Sequence, residues 1–214
     1  MFPTLYAVLD DALIASDDPA RWVALAETLA ESGCRLMQVR AKQSDSRAQL
    51  EIATELARSL DSTRVRLIVN DRVDIALLAG AGGVHVGQQD LDVERARAIC
   101  GPSLWIGVST HTLDQVRAAD RTSADYIAFG PIFPTTTKSK PDALVGLDGL
   151  RAARALTRKP LVAIGGITLA RARDVYRFGA DSLAVASDLL RAQNSGARAE
   201  EYLAIAAETI GAPR

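Results

Sequence analysis

Cysteine and histidine are scarce in this chain of 214 residues, which contains two of each. The cysteines, Cys34 and Cys100, are far apart and form no CxxC motif, so we expect buried thiols in a reducing cytoplasm. Long apolar runs are missing too, and the start, MFPTLYAVLDD, lacks the pattern of a signal peptide. The net charge is −1, which favours neither a nucleic-acid nor a membrane partner.

A Gly-rich GxGxxG motif is also absent after the first predicted strand, which weakens a dinucleotide-binding interpretation. What the chain does contain is an alternation of short apolar runs with helical patterns. The runs are rich in β-branched residues and apolar almost throughout, as is typical of strands covered on both faces. Eight are predicted: Leu5–Leu9, Leu36–Arg40, Arg66–Val69, Gly83–Val86, Leu104–Val108, Tyr126–Phe129, Leu161–Ile164 and Leu183–Ala186.

Helical patterns separate these strands. The first starts at Asp17-Asp18-Pro19, capping carboxylates followed by a first-turn proline, and ends at Gly33. Later helices are predicted at about 50–60 and at Val73–Ala79, Val93–Ile99, Leu113–Ala119, Leu147–Leu156, Ala170–Phe178 and Glu200–Ile210. Eight β/α units need about 200 residues. We therefore predict an α/β protein with a single domain over 1–214, a (β/α)₈ TIM barrel of eight parallel strands.

In such barrels the active site lies at the C-terminal ends of the strands. The second strand ends with Gln38, Arg40 and Lys42 at alternating positions, so that their side chains share one side. Two cations and an amide suit an anion such as diphosphate. The chain has four lysines against 21 arginines, so a lysine here hints at a need for a compact ammonium. A solvated strand end is the alternative.

Two carboxylates follow the next strands. Asp71 comes after the third strand, beside Asn70, and Asp90 comes after the fourth. Mg²⁺ typically takes one or two protein carboxylates and completes its shell with water and phosphate oxygens, so the pair could hold this ion. Asp71 could instead cap a helix, and Asp90 could cap a helix or form a turn.

A second anion site is indicated after strands six to eight. The long segment 130–145 contains Thr135, Thr136, Thr137 and Lys138, which could surround a phosphate or form a lid, or could be a polar surface loop. Gly165-Gly166 and Ala186-Ser187 lie at the ends of strands seven and eight, and the loops after these strands are the recurrent phosphate site of this architecture. Two anion sites fit two phosphorylated substrates, one of which leaves as diphosphate.

The histidines carry a weaker signal. His111 follows the fifth strand and could act as an acid or base, although a supporting donor role is favoured because no partner is evident. His85 lies inside the fourth strand and is interpreted as a packed barrel residue.

From about Leu5 to Leu190 the sequence closely resembles the thiamine-phosphate synthase family. The resemblance rests on QVRAK at 38–42, VNDRVDIALLAGAGGVHVGQQDL at 69–91, GVSTH at 107–111, DYIAFGPIFPTTTK at 125–138, AIGGI at 163–167 and Ala186-Ser187. It implies that a hydroxymethylpyrimidine diphosphate couples to hydroxyethylthiazole phosphate, giving thiamine phosphate and diphosphate. It also implies a dissociative step, in which diphosphate leaves before the thiazole nitrogen attacks.

The resemblance assigns roles to residues. Asp71 and Asp90 would bind Mg²⁺, while Arg40, Lys42 and Lys138 would be catalytic. The pyrimidine diphosphate would be held by Gln38, Arg40, Lys42, Asn70, Ser109 and Lys138. The thiazole phosphate would be held by Thr135, Thr137, Gly166, Ala186 and Ser187.

Two positions depart from the family pattern. Ala41 stands where an acidic residue is frequent, and Ala186 replaces a bulkier aliphatic residue, which could loosen the thiazole pocket. Two other functions share the fold: a thiazole tautomerase with His111 as proton shuttle, and a non-catalytic phosphate-binding barrel. The joint presence of the magnesium and diphosphate residues argues against the tautomerase. The oligomeric state, including a possible homo-oligomer, stays open.

Overall fold

A computed structural model describes residues 1–135 and 143–211. Eight parallel strands follow one another in chain order and close into a barrel, in which the first strand pairs with the last. The barrel fold predicted from the sequence is therefore confirmed. The strands are β1 (Leu5–Asp10), β2 (Leu36–Arg40), β3 (Arg66–Asn70), β4 (Gly83–Val86), β5 (Trp105–Thr110), β6 (Tyr126–Phe129), β7 (Leu161–Ile164) and β8 (Ser182–Val185).

Helices surround the barrel, and two short ones were not predicted, α1 and α9, which directly follow the first and last strands. Side-chain caps start several helices, as Asp18, Asp45 and Asp92 each accept a backbone N–H of the first turn. The described residues form α1 (Asp11–Ile14), α2 (Pro19–Glu31), α3 (Ser46–Leu60), α4 (Val73–Leu78), α5 (Val93–Cys100), α6 (Leu113–Asp120), α7 (Gly146–Arg154), α8 (Leu169–Arg177), α9 (Ser187–Leu190) and α10 (Ser195–Ile210). None of them is long and apolar enough to cross a membrane.

Strand ends differ from the sequence predictions where polar residues continue the ladder. Strand β1 includes Asp10, β3 includes Asn70, and β5 extends to Thr110 because it pairs with β6 up to Phe129. Conversely, β8 stops at Val185, because Ala186 already serves as the N-cap of α9. The pattern of apolar residues marks a strand's buried part but not its hydrogen-bonded end.

The core has two layers. The larger, between strands and helices, is built from apolar side chains such as Trp22, Leu29 and Ile52. The smaller fills the barrel itself and contains two tyrosines, Tyr6 and Tyr126, that are almost wholly buried. This inner layer brings hydroxyl groups up to the floor of the cavity at the C-terminal ends of the strands.

Candidate active site

A cavity of about 540 Å³ opens at the C-terminal ends of the strands. Almost all site residues expected from the sequence line it, and they come from the ends of seven strands, β2 to β8, and the loops that follow. Thr137 and Lys138 fall outside the described residues. The expected residues on the cavity wall are Gln38, Arg40, Lys42, Asn70, Asp71, Asp90, Ser109, Thr135, Gly166, Ala186 and Ser187.

Asp71 lies in a fixed position beside a lysine. Its backbone adopts a left-handed conformation with φ of 61°, and its N–H donates to the carbonyl of His85 at 2.7 Å. One carboxylate oxygen lies 2.7 Å from Nζ of Lys42. The N-cap position of α4 belongs to Arg72, without a side-chain cap, so the carboxylate of Asp71 faces the cavity rather than capping the helix.

Asp90 lies next to Asp71. Its carboxylate accepts the N–H of Gly87 at 2.8 Å, which closes a turn after β4, while Asp92 caps α5. Burial and the neighbouring Asp71 raise the pKa of Asp90, although the Gly87 N–H and Lys42 oppose this shift. The two carboxylates expected to share an ion are therefore close enough to interact.

The donor set fits Mg²⁺ on chemical grounds. Two adjacent carboxylates repel each other, which adds to the effect of burial in raising the pKa of Asp90, and a divalent cation would relieve that repulsion. Residues 1–135 and 143–211 contain no cluster of three or more histidine, cysteine or acidic side chains suited to a metal. Mg²⁺ commonly takes one or two protein carboxylates and completes its coordination shell with water and substrate oxygens.

Arg40 has a partner that the sequence did not reveal. Its guanidinium lies 2.6 Å from the carboxylate of Asp10, and only 1% of the Asp10 side chain is exposed. The second oxygen of Asp10 accepts the N–H of Ala12 at 3.0 Å. Asp10 thus anchors the arginine at the cavity wall, and its position at the end of β1 was the available signal for it.

The polar floor of the cavity contains five connected side chains. Gln38 donates to the hydroxyl of Tyr6 at 2.8 Å, and that hydroxyl lies 2.8 Å from the hydroxyl of Tyr126. The two ring nitrogens of His85 lie 3.0 Å from the Tyr126 hydroxyl and 2.8 Å from the Ser109 hydroxyl. His85 is buried, as expected, but it also joins Ser109 to the inner core.

The opposite wall is uncharged and rich in glycine. Gly165 and Gly166 have φ of 100° and 61°, and Gly165 accepts the N–H of Phe133 at 3.0 Å. A Cβ at Gly166 would lie 2.4 Å from the carbonyl oxygen of Pro134. These glycines therefore let the start of the segment after β6 pack directly on the end of β7.

His111 supports that same segment. Its Nδ1 donates to the carbonyl of Gly130 at 2.6 Å, and its backbone N–H donates to Gln115 at 2.7 Å. These contacts hold the chain where it leaves β6.

Comparison with known proteins agrees with this geometry. The family model for thiamine monophosphate synthase matches residues 5–189. The chain belongs to the thiamine monophosphate synthase family. It is 48% identical over 204 residues to the thiamine-phosphate synthase of Koribacter versatilis, with 95% of each chain covered, and 46% identical to that of Chloroflexus aurantiacus over 87% of this chain and 86% of the relative.

A solved relative shares the architecture. Thiamine phosphate pyrophosphorylase from Pyrococcus furiosus superposes with a TM-score of 0.86 at 34% identity, covering 97% of both chains. Members of the thiamine monophosphate synthase family are transferases, and thiamine-phosphate synthesis is accordingly the activity of this chain.

Proposed function

We propose that this single-domain, cytoplasmic enzyme condenses 4-amino-2-methyl-5-(diphosphooxymethyl)pyrimidine with 4-methyl-5-(2-phosphooxyethyl)thiazole, with the help of Mg²⁺. The products are thiamine phosphate and diphosphate. One observation carries this proposal: a single cavity joins a wall of paired acids and cations to an uncharged wall of glycine and small residues. Two phosphorylated substrates with different fates need two walls of this kind.

The diphosphate would bind on the charged wall. Arg40 is held by Asp10, so its guanidinium is oriented before the substrate arrives. Lys42 pairs with Asp71 at the cavity wall, where its ammonium could exchange that carboxylate for a phosphate oxygen. Asp71 and Asp90 would hold Mg²⁺, which would supply positive charge to stabilise the departing diphosphate. Lys138 completes this proposed set from outside the described residues.

Bond breaking would come first. The C–O bond between the pyrimidine methylene and the diphosphate breaks, its electron pair leaves with the diphosphate, and the methylene becomes a carbocation. The thiazole nitrogen then donates its lone pair to that carbon. No protein nucleophile takes part in these steps, because the thiazole nitrogen attacks the carbocation directly. The protein's part is orientation and charge stabilisation.

The thiazole phosphate would bind on the uncharged wall. Gly166 and Ser187 line the cavity, where their backbone groups could bind a phosphate. Thr135 adds a hydroxyl from the segment after β6, and Thr137 is proposed to do the same from outside the described residues. The small Ala186 leaves extra space here.

The test combines both substrates with Mg²⁺ and detects thiamine phosphate by mass spectrometry. Excess EDTA should abolish product formation, and added Mg²⁺ should restore it. An undiminished rate in EDTA would remove the metal from the proposal. Binding of both substrates without product, in the presence of Mg²⁺, would instead indicate a non-catalytic phosphate-binding barrel.

A further inference from the structure

A continuous chain of hydrogen bonds crosses the inside of the barrel. It runs from Gln38 through Tyr6, Tyr126 and His85 to Ser109, with every step between 2.8 and 3.0 Å. The four residues from Gln38 to His85 are each at most 6% exposed. Both ends of this chain lie at the cavity, at residues that the family resemblance connects with the pyrimidine.

The number of donors and acceptors shows which group donates in each hydrogen bond of this series. Burial raises the pKa of the Tyr6 and Tyr126 phenols above the ordinary value, so both retain their protons. Tyr6 accepts from Gln38, so its own O–H can be used only by donating to Tyr126. Tyr126 then donates to Nδ1 of His85. A buried O–H without an acceptor would be costly, which disfavours the opposite direction.

The direction fixes what Ser109 offers to a ligand. If Nδ1 of His85 accepts, then the neutral ring carries its proton on Nε2 and donates it to the Ser109 hydroxyl. Ser109 must use its O–H elsewhere, and its side chain lies at the cavity. At the other end, one N–H of Gln38 is committed to Tyr6, which orients the amide.

We infer that Tyr6, Tyr126 and His85 are positioning residues, which hold Ser109 as a hydrogen-bond donor and Gln38 in a fixed amide orientation for a heteroaromatic ring with an acceptor nitrogen. The inference rests on the proposed function, because it specifies how that function recognises the pyrimidine. The inference does not concern how the diphosphate or the thiazole phosphate is bound.

The barrel interior accommodates these hydrogen-bonded side chains, although burying polar groups there is energetically unfavourable. A Cβ at Gly107 would lie 2.0 Å from the ring carbon Cζ of Tyr126, so glycine at this position makes room for the phenol. An apolar filling would avoid burying five polar groups. The groups are nevertheless aligned end to end, and both ends reach the ligand cavity, which a purely structural network would not need.

The first test replaces Tyr126 by phenylalanine. In Tyr126→Phe, KM for the pyrimidine diphosphate should rise about tenfold, because Ser109 would no longer be held as a donor and roughly one hydrogen bond to the pyrimidine would be lost. KM for the thiazole phosphate and the affinity for inorganic diphosphate with Mg²⁺ should stay within about twofold, because neither ligand is expected to contact this series of hydrogen-bonded residues. A general folding defect would shift all three quantities together.

Tyr176→Phe is the matched control. Tyr176 is also buried and donates its hydroxyl, to the carbonyl of Thr4 at 2.9 Å, but it does not line the cavity. Its removal should leave all three quantities unchanged. If Tyr126→Phe behaves like Tyr176→Phe, then the inference is wrong.

The second test uses His85. The amide of His85→Gln can offer an N–H near the position of Nε2, whereas His85→Leu cannot, so the glutamine variant should recover part of the pyrimidine affinity that the leucine variant loses. Combining His85→Leu with Ser109→Ala should cost little more than either change alone. Fully multiplicative effects on KM would mean that His85 does not act through Ser109.

Titration calorimetry with the neutral alcohol 4-amino-5-hydroxymethyl-2-methylpyrimidine separates this inference from the proposed function. A wild-type protein that makes no thiamine phosphate, but binds this alcohol in a Tyr126-dependent manner, contradicts the function and keeps the inference. Turnover with an unchanged pyrimidine KM in Tyr126→Phe and His85→Leu contradicts the inference alone. Absence of both turnover and alcohol binding rejects both.

Discussion

The two walls of the cavity differ in charge. The charged wall, from β1 to β4, uses Arg40 and Lys42 with the acids that accompany them. The glycine wall, from β7 and β8, presents uncharged residues such as Gly166 and Ser187. Under the proposed function, charged side chains would lie where charge changes during the reaction, and neutral backbone donors would suffice where a phosphate is only anchored.

The charged wall also contains two kinds of ion pair. Arg40 is 19% exposed and meets an almost fully buried Asp10, whereas Lys42 is 48% exposed and meets Asp71, which is 22% exposed. A buried pair cannot lose one partner without leaving an uncompensated charge, while an exposed pair is screened by water. The first pair therefore builds the wall, and the second is free to rearrange when a ligand arrives.

The largest effect is expected from Arg40→Ala. It should lower the free energy of unfolding by about 3 kcal/mol, because Asp10 is left buried without its partner. Lys42→Ala should change the same quantity by less than about 1 kcal/mol after solvent screening. Denaturant unfolding measures both values, and both variants should lose turnover. If Arg40→Ala and Lys42→Ala lower the free energy of unfolding equally, then the two ion pairs do not differ in their contribution to stability.

Asp71→Asn tests the acidic pair. It should lower kcat/KM by about 100-fold or more, since one of the two proposed metal ligands loses its charge. The control is Asp74→Asn, which lies three residues away, 58% exposed and paired with Arg72 outside the cavity. Steady-state kinetics at saturating Mg²⁺ measures kcat/KM of both variants. Retention of full activity by Asp71→Asn would overturn its assignment.

Gly166→Ala should act on the opposite wall only. The added methyl group meets the Pro134 carbonyl, so KM for the thiazole phosphate should rise about tenfold while KM for the pyrimidine diphosphate stays unchanged. Gly80→Ala is the matched control, because it has a similar φ of 68° but no atom within 4 Å. A change in both KM values would show that the two walls are not independent.

Asp90→Asn should change the free energy of unfolding of the metal-free protein only slightly. The pKa of Asp90 is raised in the folded state, so its ionisation destabilises the fold as pH rises through that pKa. The amide can still accept the Gly87 N–H. We expect a gain below about 1 kcal/mol at neutral pH, together with lost turnover. Thermal unfolding in EDTA at several pH values measures it, and a loss of stability at neutral pH would contradict the prediction.

Much of the site followed from local sequence. Parallel strands that close in chain order bring consecutive strand ends together, so residues as distant as Gln38, Asp90 and Ser187 could be assigned to one cavity from their positions alone. The contacts within the site did not follow. Asp10 was overlooked because a carboxylate after an apolar run is equally typical of a helix start, and in fact it also caps α1.

The sequence alone determined the strand-helix alternation and the set of strand ends that carry polar groups, since each depends on periodicity within about ten residues, and the count of eight β/α units predicted the barrel. Only the tertiary structure decided which of those groups touch. Tyr6 and Tyr126 are 120 positions apart, yet their hydroxyls lie 2.8 Å apart, because barrel closure brings side chains from β1 and β6 together across the interior. Such a contact depends on the register and twist of the whole sheet, which no local pattern encodes.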